Sequence, residues 1–190
     1  MTMDVRESLA RAFDGFGGRV GAAAPDQWHA PTPCRQWDVH QLVNHVIGEV
    51  RWIEPLMAGR TIEDVGDALS GDLAGDEPAA AWNAAAAAAM QTVEPEDALD
   101  RTVHLSYGEV PAHDYLAEVC ADVVIHTWDL ARAIHGDEQM DAELVAAAAA
   151  TLAPRLEVWR EAGALAAAVE PGPDADQQQR LIAATGRDPR

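Results

Sequence analysis

Alanine-rich stretches with helical periodicity place the strongest limit on how this chain can fold. Two runs, NAAAAAAM at 83–90 and LVAAAAATLA at 144–153, consist mostly of the residue that most favours an α-helix. Both runs are too short and too weakly apolar to cross a bilayer. Hydrophobic residues make up 48% of the 190 residues, which is enough for a full core. We therefore predict an all-α fold and a single domain that spans residues 1–190.

Apolar residues recur every three or four positions in several further segments, as they do on the buried side of a helix. Gln41 follows Asp38 by three residues, a capping-box pattern that marks a helix start, and Gly136 suits a helix end. The segment 60–76 is predicted to be a loop and 102–105 a short extended piece. The predicted helices cover about 3–23, 38–57, 76–93, 111–135 and 141–163, the last interrupted at Pro154, and a short helix closes the tail. They predict a helical bundle with long connections.

The charge of the chain disfavours several classes of partner. Thirteen arginines and no lysine stand against 32 acidic residues, for a net charge of −19. Such a chain repels phosphate backbones and anionic membrane surfaces, so we expect no nucleic-acid and no membrane binding. The N-terminus, MTMDVRESLARAF, lacks the basic start and apolar middle of a secretory signal, so a cytoplasmic location is predicted. In that compartment Cys34 and Cys120 are expected to be reduced thiols.

Three side chains at the borders of predicted helix faces are candidate metal ligands. His45 lies at the edge of the apolar arc of the helix over 38–57, and Asp122 and His126 lie at the edge of the arc over 111–135. Residues four apart on a helix have Cβ atoms about 5–6 Å apart, so Asp122 and His126 can hold one ion together. Two imidazoles and one carboxylate leave coordination positions free, as in catalytic metal sites. By spacing alone, the more common explanations are a surface ion pair or hydrogen bond between Asp122 and His126 and a core or border position for His45.

Other polar residues near these positions are rivals or supports. Glu49, four residues after His45, is a rival ligand. Glu118 is interpreted as part of a solvated acidic stripe, with the orientation of an imidazole as the alternative role. Asp129 lies three residues before Arg132, so a surface ion pair is the simplest interpretation, again with imidazole orientation as the alternative.

No general base is identified from the sequence. His104, His113 and Glu49 qualify by residue type, but each is more typical of a structural or exposed position. Cys34 precedes the helix of His45, and it is expected to pack within its loop rather than to bind metal. The tryptophans that flank the candidate ligands are predicted to serve packing: Trp37, Trp52 and Trp128.

Three stretches, in order along the chain, together resemble a known family. They are TPCRQWDVHQLVNHVIGEVRW at 32–52, DVVIHTWDLARAIHG at 122–136 and QQQRLIAATGRDP at 177–189. They resemble the actinobacterial metal-binding proteins related to the N-terminal domain of mycothiol-dependent maleylpyruvate isomerase, in the DinB-like superfamily. The resemblance runs from about Arg6 to the C-terminus. It implies a DinB-like four-helix bundle with long crossover connections and extra C-terminal helices.

The resemblance also implies a divalent metal ion bound by His45, Asp122 and His126. Zinc is expected first, and nickel or iron(II) suits the same donors. The isomerase has Glu in place of Asp122. Relatives often have a small residue in place of Glu49, which argues against Glu49 as an obligatory ligand.

The function that the resemblance implies is a reaction between a low-molecular-weight thiol, such as mycothiol, and an electrophilic substrate. The isomerase has a further C-terminal domain where this chain has a short tail. We therefore expect a related transferase or isomerase-like reaction rather than maleylpyruvate isomerisation itself. The alternatives are a metal-dependent hydrolase, which would activate water at the same open site, and a non-catalytic metal- or ligand-binding stress protein. A homodimer is compatible with the sequence.

Overall fold

A computed structural model describes residues 3–190, so the first two residues of the predicted domain lie outside the described part. The helices are α1 (Val5–Ala22), α2 (Val39–Arg51), α3 (Ile53–Met57), α4 (Ile62–Val65), α5 (Pro78–Val93), α6 (Ala112–Ala133), α7 (Ala142–Leu152), α8 (Leu156–Glu161) and α9 (Gln177–Ala184). Two strands, β1 (Thr102–Leu105) and β2 (Gly108–Pro111), pair as an antiparallel hairpin, the only sheet within residues 3–190. The predicted all-α fold is confirmed.

Four helical segments surround the core. Helix α1 packs against α5 and α6, and α2 packs against the same two helices, so the four close into a bundle. Helix α3 follows α2 after a one-residue break at Trp52 and also packs against α5. The long connections carry α4 on the way to α5 and the β-hairpin on the way to α6. This is the bundle with long connections that the apolar periodicity predicted.

The contact between α1 and α5 shows how closely the helices approach. The Trp82 ring lies 4.6 Å from the Phe16 ring and 5.6 Å, edge to face, from the Phe13 ring, measured between centroids. A Cβ at Gly17 would lie 2.7 Å from the Trp82 Nε1 atom. Only glycine therefore lets α1 approach this indole. The rest of the core is mainly aliphatic, with Leu9, Leu42, Ile47, Ile53, Leu56, Leu116 and Leu130 among its fully buried side chains.

Local sequence signals set several helix boundaries as predicted. The Asp38 carboxylate accepts the Gln41 backbone N–H at 2.9 Å, and the Gln41 side chain accepts the Asp38 backbone N–H at 3.0 Å. Pro78 lies in the first turn of α5. The break between α7 and α8 falls at Pro154. These boundaries depend only on neighbouring residues, which is why the sequence predicts them well.

The loop predicted over 60–76 is wrong in its first half. This segment contains α4 and a 3-10 helix over Gly66–Leu69. Thr61 accepts the Asp64 backbone N–H at 3.1 Å, and the Asp64 carboxylate accepts the Thr61 N–H at 2.8 Å. This capping box is enough to start one helical turn in a segment with little apolar periodicity.

The end of α6 also differs from the prediction. His135, rather than Gly136, takes the left-handed conformation, with φ of 55°. The Gly136 N–H then donates to the Ala131 carbonyl at 2.8 Å, as in a Schellman motif. Histidine is among the non-glycine residues that tolerate this conformation.

The C-terminal helices cover one side of the bundle. Helix α7 packs against α6 and α1, and α9 packs against α7. Among residues 3–190, none of the helices has both the length and the apolar character that a membrane-crossing segment needs.

Candidate metal centre

The packing of α2 against α6 brings the three predicted ligands together. His45 lies on α2, and Asp122 and His126 lie one turn apart on α6. The His126 Nε2 atom is 3.4 Å from Asp122 Oδ1, and the His45 Nε2 atom is 3.6 Å from Asp122 Oδ2. One donor atom from each of the three residues lies within 4.8 Å of the other two. Two imidazole nitrogens and one carboxylate thus face one point between two helices.

The chemistry of these donors fits a divalent cation. The Asp122 Oδ2 atom is buried and has no hydrogen-bond partner within the described residues. A buried carboxylate oxygen without a hydrogen bond is costly, and the His45 Nε2 atom at 3.6 Å compensates for the lost water only in part. A cation held between the two imidazoles and this carboxylate would remove that cost. The residues present therefore fit the metal that the sequence predicted.

The charges in the cluster favour an ionised carboxylate. Burial by itself raises the pKa of Asp122, but the nearby His126 and His45 imidazoles outweigh burial and hold that pKa well below its usual value. Burial by itself lowers the pKa of His126, but Asp122 and then Asp129 and Cys34 raise it well above its usual value. The carboxylate lies between two basic nitrogens, so a divalent cation can take the place of the protons in this cluster.

One side of the centre is closed and the other is open. The His126 side chain is 6% exposed, whereas the His45 side chain is 28% exposed. The Trp37 ring stacks on the His45 imidazole, with 4.4 Å between centroids and 30° between planes. Trp37 therefore contacts a candidate ligand and does more than fill space, although the sequence predicted packing alone.

A cavity of about 360 Å³ lies beside His45. Its lining includes Trp37, His45, Gly48, Glu49, Trp52 and Leu73. Glu49 Oε1 is 4.0 Å from His45 Nδ1, too far for a hydrogen bond. Burial, and next the charge of Asp122, raises the pKa of Glu49. Glu49 thus lies at the wall of the cavity, next to the three candidate ligands but outside their cluster.

The other ring nitrogen of His126 contacts a second carboxylate. The His126 Nδ1 atom and Asp129 Oδ2 are 2.9 Å apart, and Asp129 is completely buried. The Arg187 guanidinium donates to both Asp129 oxygens, from Nε to Oδ1 and from Nη2 to Oδ2, each at 2.7 Å. Burial by itself raises the pKa of Asp129, but the His126 and Arg187 hydrogen bonds lower it to about 2.

The surface ion pair predicted for Asp129 and Arg132 is therefore wrong. Arg132 pairs instead with Glu138, with 2.7 Å between Nη2 and Oε2, and its guanidinium lies over the buried Trp128 ring. Helical spacing placed Asp129 near Arg132, but the orientation of α6 turns Asp129 inward, toward the C-terminal segment.

The solvated position predicted for Glu118 is also wrong. Glu118 is only 9% exposed, it accepts the Tyr107 hydroxyl at 2.6 Å, and Arg155 Nη2 lies 2.6 Å from its Oε1 atom. Residues of the β-hairpin and of the segment before α8 cover this part of α6, and helical spacing cannot anticipate that cover.

The remaining candidates lie outside the cluster. His104 pairs with Glu109 across the hairpin, and His113 pairs with Asp114 at the exposed start of α6. Cys34 and Cys120 are free thiols, as predicted. The Cys34 thiol donates to Asp129 at 3.3 Å and accepts from Arg187 at 3.3 Å, and it is not among the three clustered ligands.

Arg187 is the contact residue that sequence reasoning missed. It lies in the closing stretch QQQRLIAATGRDP, which was noted only as part of a resemblance. A glycine and an arginine that directly follow a helix were the available signal, because glycine after a helix reverses the chain.

Comparison with known proteins agrees with this architecture. Residues 9–131 match the family described as the mycothiol maleylpyruvate isomerase N-terminal domain. An uncharacterized protein of Mycobacterium tuberculosis, from strains CDC 1551 / Oshkosh and H37Rv, is 33% identical over 161 residues, which cover 80% of this chain and 82% of the relative.

Solved structures show the same fold. Crystal structures of the mycothiol-dependent maleylpyruvate isomerase and of a histidine-to-alanine mutant match with TM-scores of 0.60 and 0.62, over 85% of this chain and 73% of theirs. At 16% identity this likeness concerns the fold, and it confirms the predicted DinB-like bundle. The chain belongs to the family of the mycothiol maleylpyruvate isomerase N-terminal domain.

Proposed function

We propose that this protein binds one divalent metal ion through His45, Asp122 and His126 and uses it in a reaction of a low-molecular-weight thiol such as mycothiol. The observation that carries the proposal is the Asp122 carboxylate between two imidazole nitrogens, whose buried Oδ2 atom has no hydrogen-bond partner within residues 3–190. Three protein ligands from two helices are typical of an open site rather than of a closed structural one. Zinc suits this set best, and nickel and iron(II) are the alternatives.

We infer a thiol substrate from the family, and the chemistry of a thiol suits the site. A bound divalent cation supplies the positive charge that keeps a thiol deprotonated and nucleophilic at neutral pH. The chain itself closes the inner side of the centre with His126, and it holds the outer imidazole, His45, against Trp37. The cavity beside His45 gives a thiol group access to the outer side of the centre.

The lining of the cavity favours an uncharged or cationic electrophile. Among the described residues, 3–190, Glu49 is the only acidic one that lines the cavity, and no arginine lines it. A substrate with several carboxylates would meet no guanidinium there to pair with its charges. We therefore propose a transferase or isomerase-like reaction on an uncharged electrophile, with maleylpyruvate itself a poor substrate.

The test begins with the metal. The purified protein should contain about one zinc, nickel or iron ion per chain after dialysis at physiological ionic strength. His126→Ala should lose most of that metal and keep its helical circular dichroism, because the apolar contacts of α2 and α6 remain. His113→Ala, which removes an exposed histidine of the same helix, is the matched control and should keep the metal. Unchanged metal content in His126→Ala would reject the ligand set.

The second step tests the thiol. Mycothiol added to the cobalt-substituted protein should produce a thiolate-to-cobalt charge-transfer band, and an uncharged electrophile should then react faster than maleylpyruvate. Turnover of activated esters without thiol would instead favour a metal-dependent hydrolase. Bound metal with neither signal would leave a non-catalytic metal-binding protein.

A further inference from the structure

The C-terminal segment enters the core beside the candidate metal centre. Gly186 lies two residues after the end of helix α9, and its φ of 85° reverses the chain. The Gly186 and Arg187 N–H groups donate to the Ala183 and Ile182 carbonyls at 3.0 and 3.2 Å. A Cβ at Gly186 would lie 2.6 Å from the Ala166 Cβ, so no residue with a side chain fits at this position. The turn directs Arg187 toward α6.

Arg187 and Asp129 form a buried pair with two parallel contacts. Arg187 Nε and Nη2 reach the two Asp129 oxygens at 2.7 Å each, Asp129 is 0% exposed and the Arg187 side chain is 11% exposed. Burial of two charges costs free energy, and the attraction between them often fails to repay it. Stability therefore does not explain this buried pair, and its contact with His126 offers a functional explanation.

Asp129 determines which nitrogen of His126 carries the proton. An ionised carboxylate only accepts hydrogen bonds, so the His126 nitrogen that lies 2.9 Å from Asp129 Oδ2, Nδ1, must be the donor. The lone pair of the neutral ring is then on Nε2, which faces Asp122 at 3.4 Å. Carboxylates that hold metal-bound histidines in this way fix both the tautomer and the ring orientation.

We infer that Arg187 and Asp129 are positioning residues that hold the Nε2 atom of His126 at the metal centre, so that the C-terminal segment is part of this centre. The inference rests on the proposed metal site. The matched family region ends at residue 131, so it includes Asp129 but not Arg187. The guanidinium also contacts two members, Cys34 and Asp129, of a second group of potential metal ligands that includes His126. Its positive charge keeps a metal ion out of that group.

A purely structural role for Arg187 makes a different prediction. Arg132 also holds the C-terminal segment, because its Nη1 atom donates to the Asp188 and Arg190 carbonyls at 3.1 and 2.9 Å. Arg132 makes no hydrogen bond to Asp129; its carboxylate partner is Glu138. Arg132→Gln therefore loosens the same segment and leaves the contacts of His126 intact, which makes it the matched control.

The first experiment measures metal affinity by chelator competition. Arg187→Gln and Asp129→Asn should bind the metal about 10- to 100-fold more weakly than the wild type. Arg187→Lys keeps the positive charge beside Asp129, so it should recover most of the loss. Arg132→Gln should change the affinity less than about threefold. Circular dichroism of each variant checks the fold, and Asp129→Asn, which keeps the side-chain shape, carries the test if Arg187→Gln does not fold.

The second experiment needs no metal. The ring nitrogens of ¹⁵N-histidine-labelled apo-protein report the tautomer, and the His126 signals are those lost in His126→Ala. At alkaline pH, above the raised pKa of His126, where the ring is neutral, the wild type and Arg132→Gln should show the proton on Nδ1, and Arg187→Gln should show a mixture. If the wild type binds no metal, the proposed function fails, and this comparison still decides whether Arg187 positions His126.

Three results would overturn the inference. The first is a wild-type affinity and tautomer in Arg187→Gln, and the second is an equal loss of affinity in Arg132→Gln. The third is a thiolate-to-cobalt band in the cobalt-loaded wild type without added thiol, because it would place the metal at Cys34.

Discussion

Two aspartates of α6 show how tertiary contacts give residues of the same type different roles. Asp122 and Asp129 lie about two turns apart, and both face the His126 ring. Asp122 keeps one buried oxygen without a partner, whereas both oxygens of Asp129 accept hydrogen bonds from Arg187. Asp122 can therefore bind a metal cation, whereas Asp129 is already paired with the Arg187 guanidinium. The difference comes from a side chain that lies far along the sequence.

The position of the Arg187 guanidinium beside Asp129 depends on the turn at Gly186. We expect Gly186→Ala to destabilise the protein by about 2–4 kcal/mol, because the left-handed conformation costs about 1–2 kcal/mol for alanine and the new Cβ would overlap Ala166. Urea unfolding followed by circular dichroism measures the change. Gly163→Ala is the control: its φ is 78°, but nothing lies within 4 Å of the new Cβ, so it should cost only about 1–2 kcal/mol. Equal losses in both variants would show that Ala166 leaves room at Gly186.

At the scale of elements, helix caps and interhelical ion pairs connect the C-terminal helices to the bundle. Asp141 caps α7: its Oδ1 atom accepts the Glu143 and Leu144 N–H groups at 2.9 and 3.2 Å. The same carboxylate pairs with Arg11 of α1. One residue thus begins a helix and joins it to another, so both its hydrogen bonds and its charge contribute to stability.

The charge of Asp141 makes part of this stability depend on pH. The Arg11 hydrogen bond, against the opposing effect of burial, lowers the pKa of Asp141 below its usual value of 3.8. A lowered pKa in the folded state stabilises the fold above pH 3.8, and this stabilisation is lost as the pH falls through the folded-state pKa. Asp141→Asn, which can still cap the helix, should therefore cost about 0.5 kcal/mol at pH 7 and less at pH 2.5, below the usual pKa.

Asp141→Ala separates the cap from the charge. It should cost about 1 kcal/mol more than Asp141→Asn at both pH values, because the cap hydrogen bonds do not require a charge. Urea unfolding of the three proteins at the two pH values measures both contributions. An Asn variant whose cost is the same at pH 2.5 and pH 7 would contradict the role of the Arg11 pair.

At the scale of the whole molecule, the apolar core is far larger than the candidate metal centre that it positions. The core extends through all four helices, and only His45, Asp122 and His126 form the candidate centre. Metal should therefore add stability to a folded protein rather than cause folding. The net charge of −19 also attracts divalent cations weakly over the whole surface, so specific binding has to be measured at physiological ionic strength.

Saturating metal should raise the melting temperature of the wild type by about 5–10 °C. A ligand at one hundred times its dissociation constant adds about 2.7 kcal/mol, and 1 kcal/mol corresponds to about 2–4 °C for a chain of this size. Differential scanning calorimetry with zinc and with a chelator measures this shift. His126→Ala should show almost none of it. Loss of the helical circular dichroism on chelation would instead indicate a structural site.

Local sequence patterns by themselves determined the helices, most of their ends and the pair Asp122 and His126. Caps, prolines and apolar periodicity act over a few residues, so the chain carries them regardless of its tertiary fold. Helical spacing also gave His45, on a separate helix, as a third candidate, and the resemblance to a family favoured the three as one set of metal ligands. The closing arginine, Arg187, was not anticipated by either route.

Only the tertiary structure decided which acidic residues face water and which face a ligand. Glu118 and Asp129 looked solvated because helical spacing describes one helix, not what packs over it. Arg155 and Tyr107 cover Glu118, and Arg187 covers Asp129. Burial and partners for these carboxylates come from segments far apart in the chain, and contacts between distant segments exist only after the helices have packed.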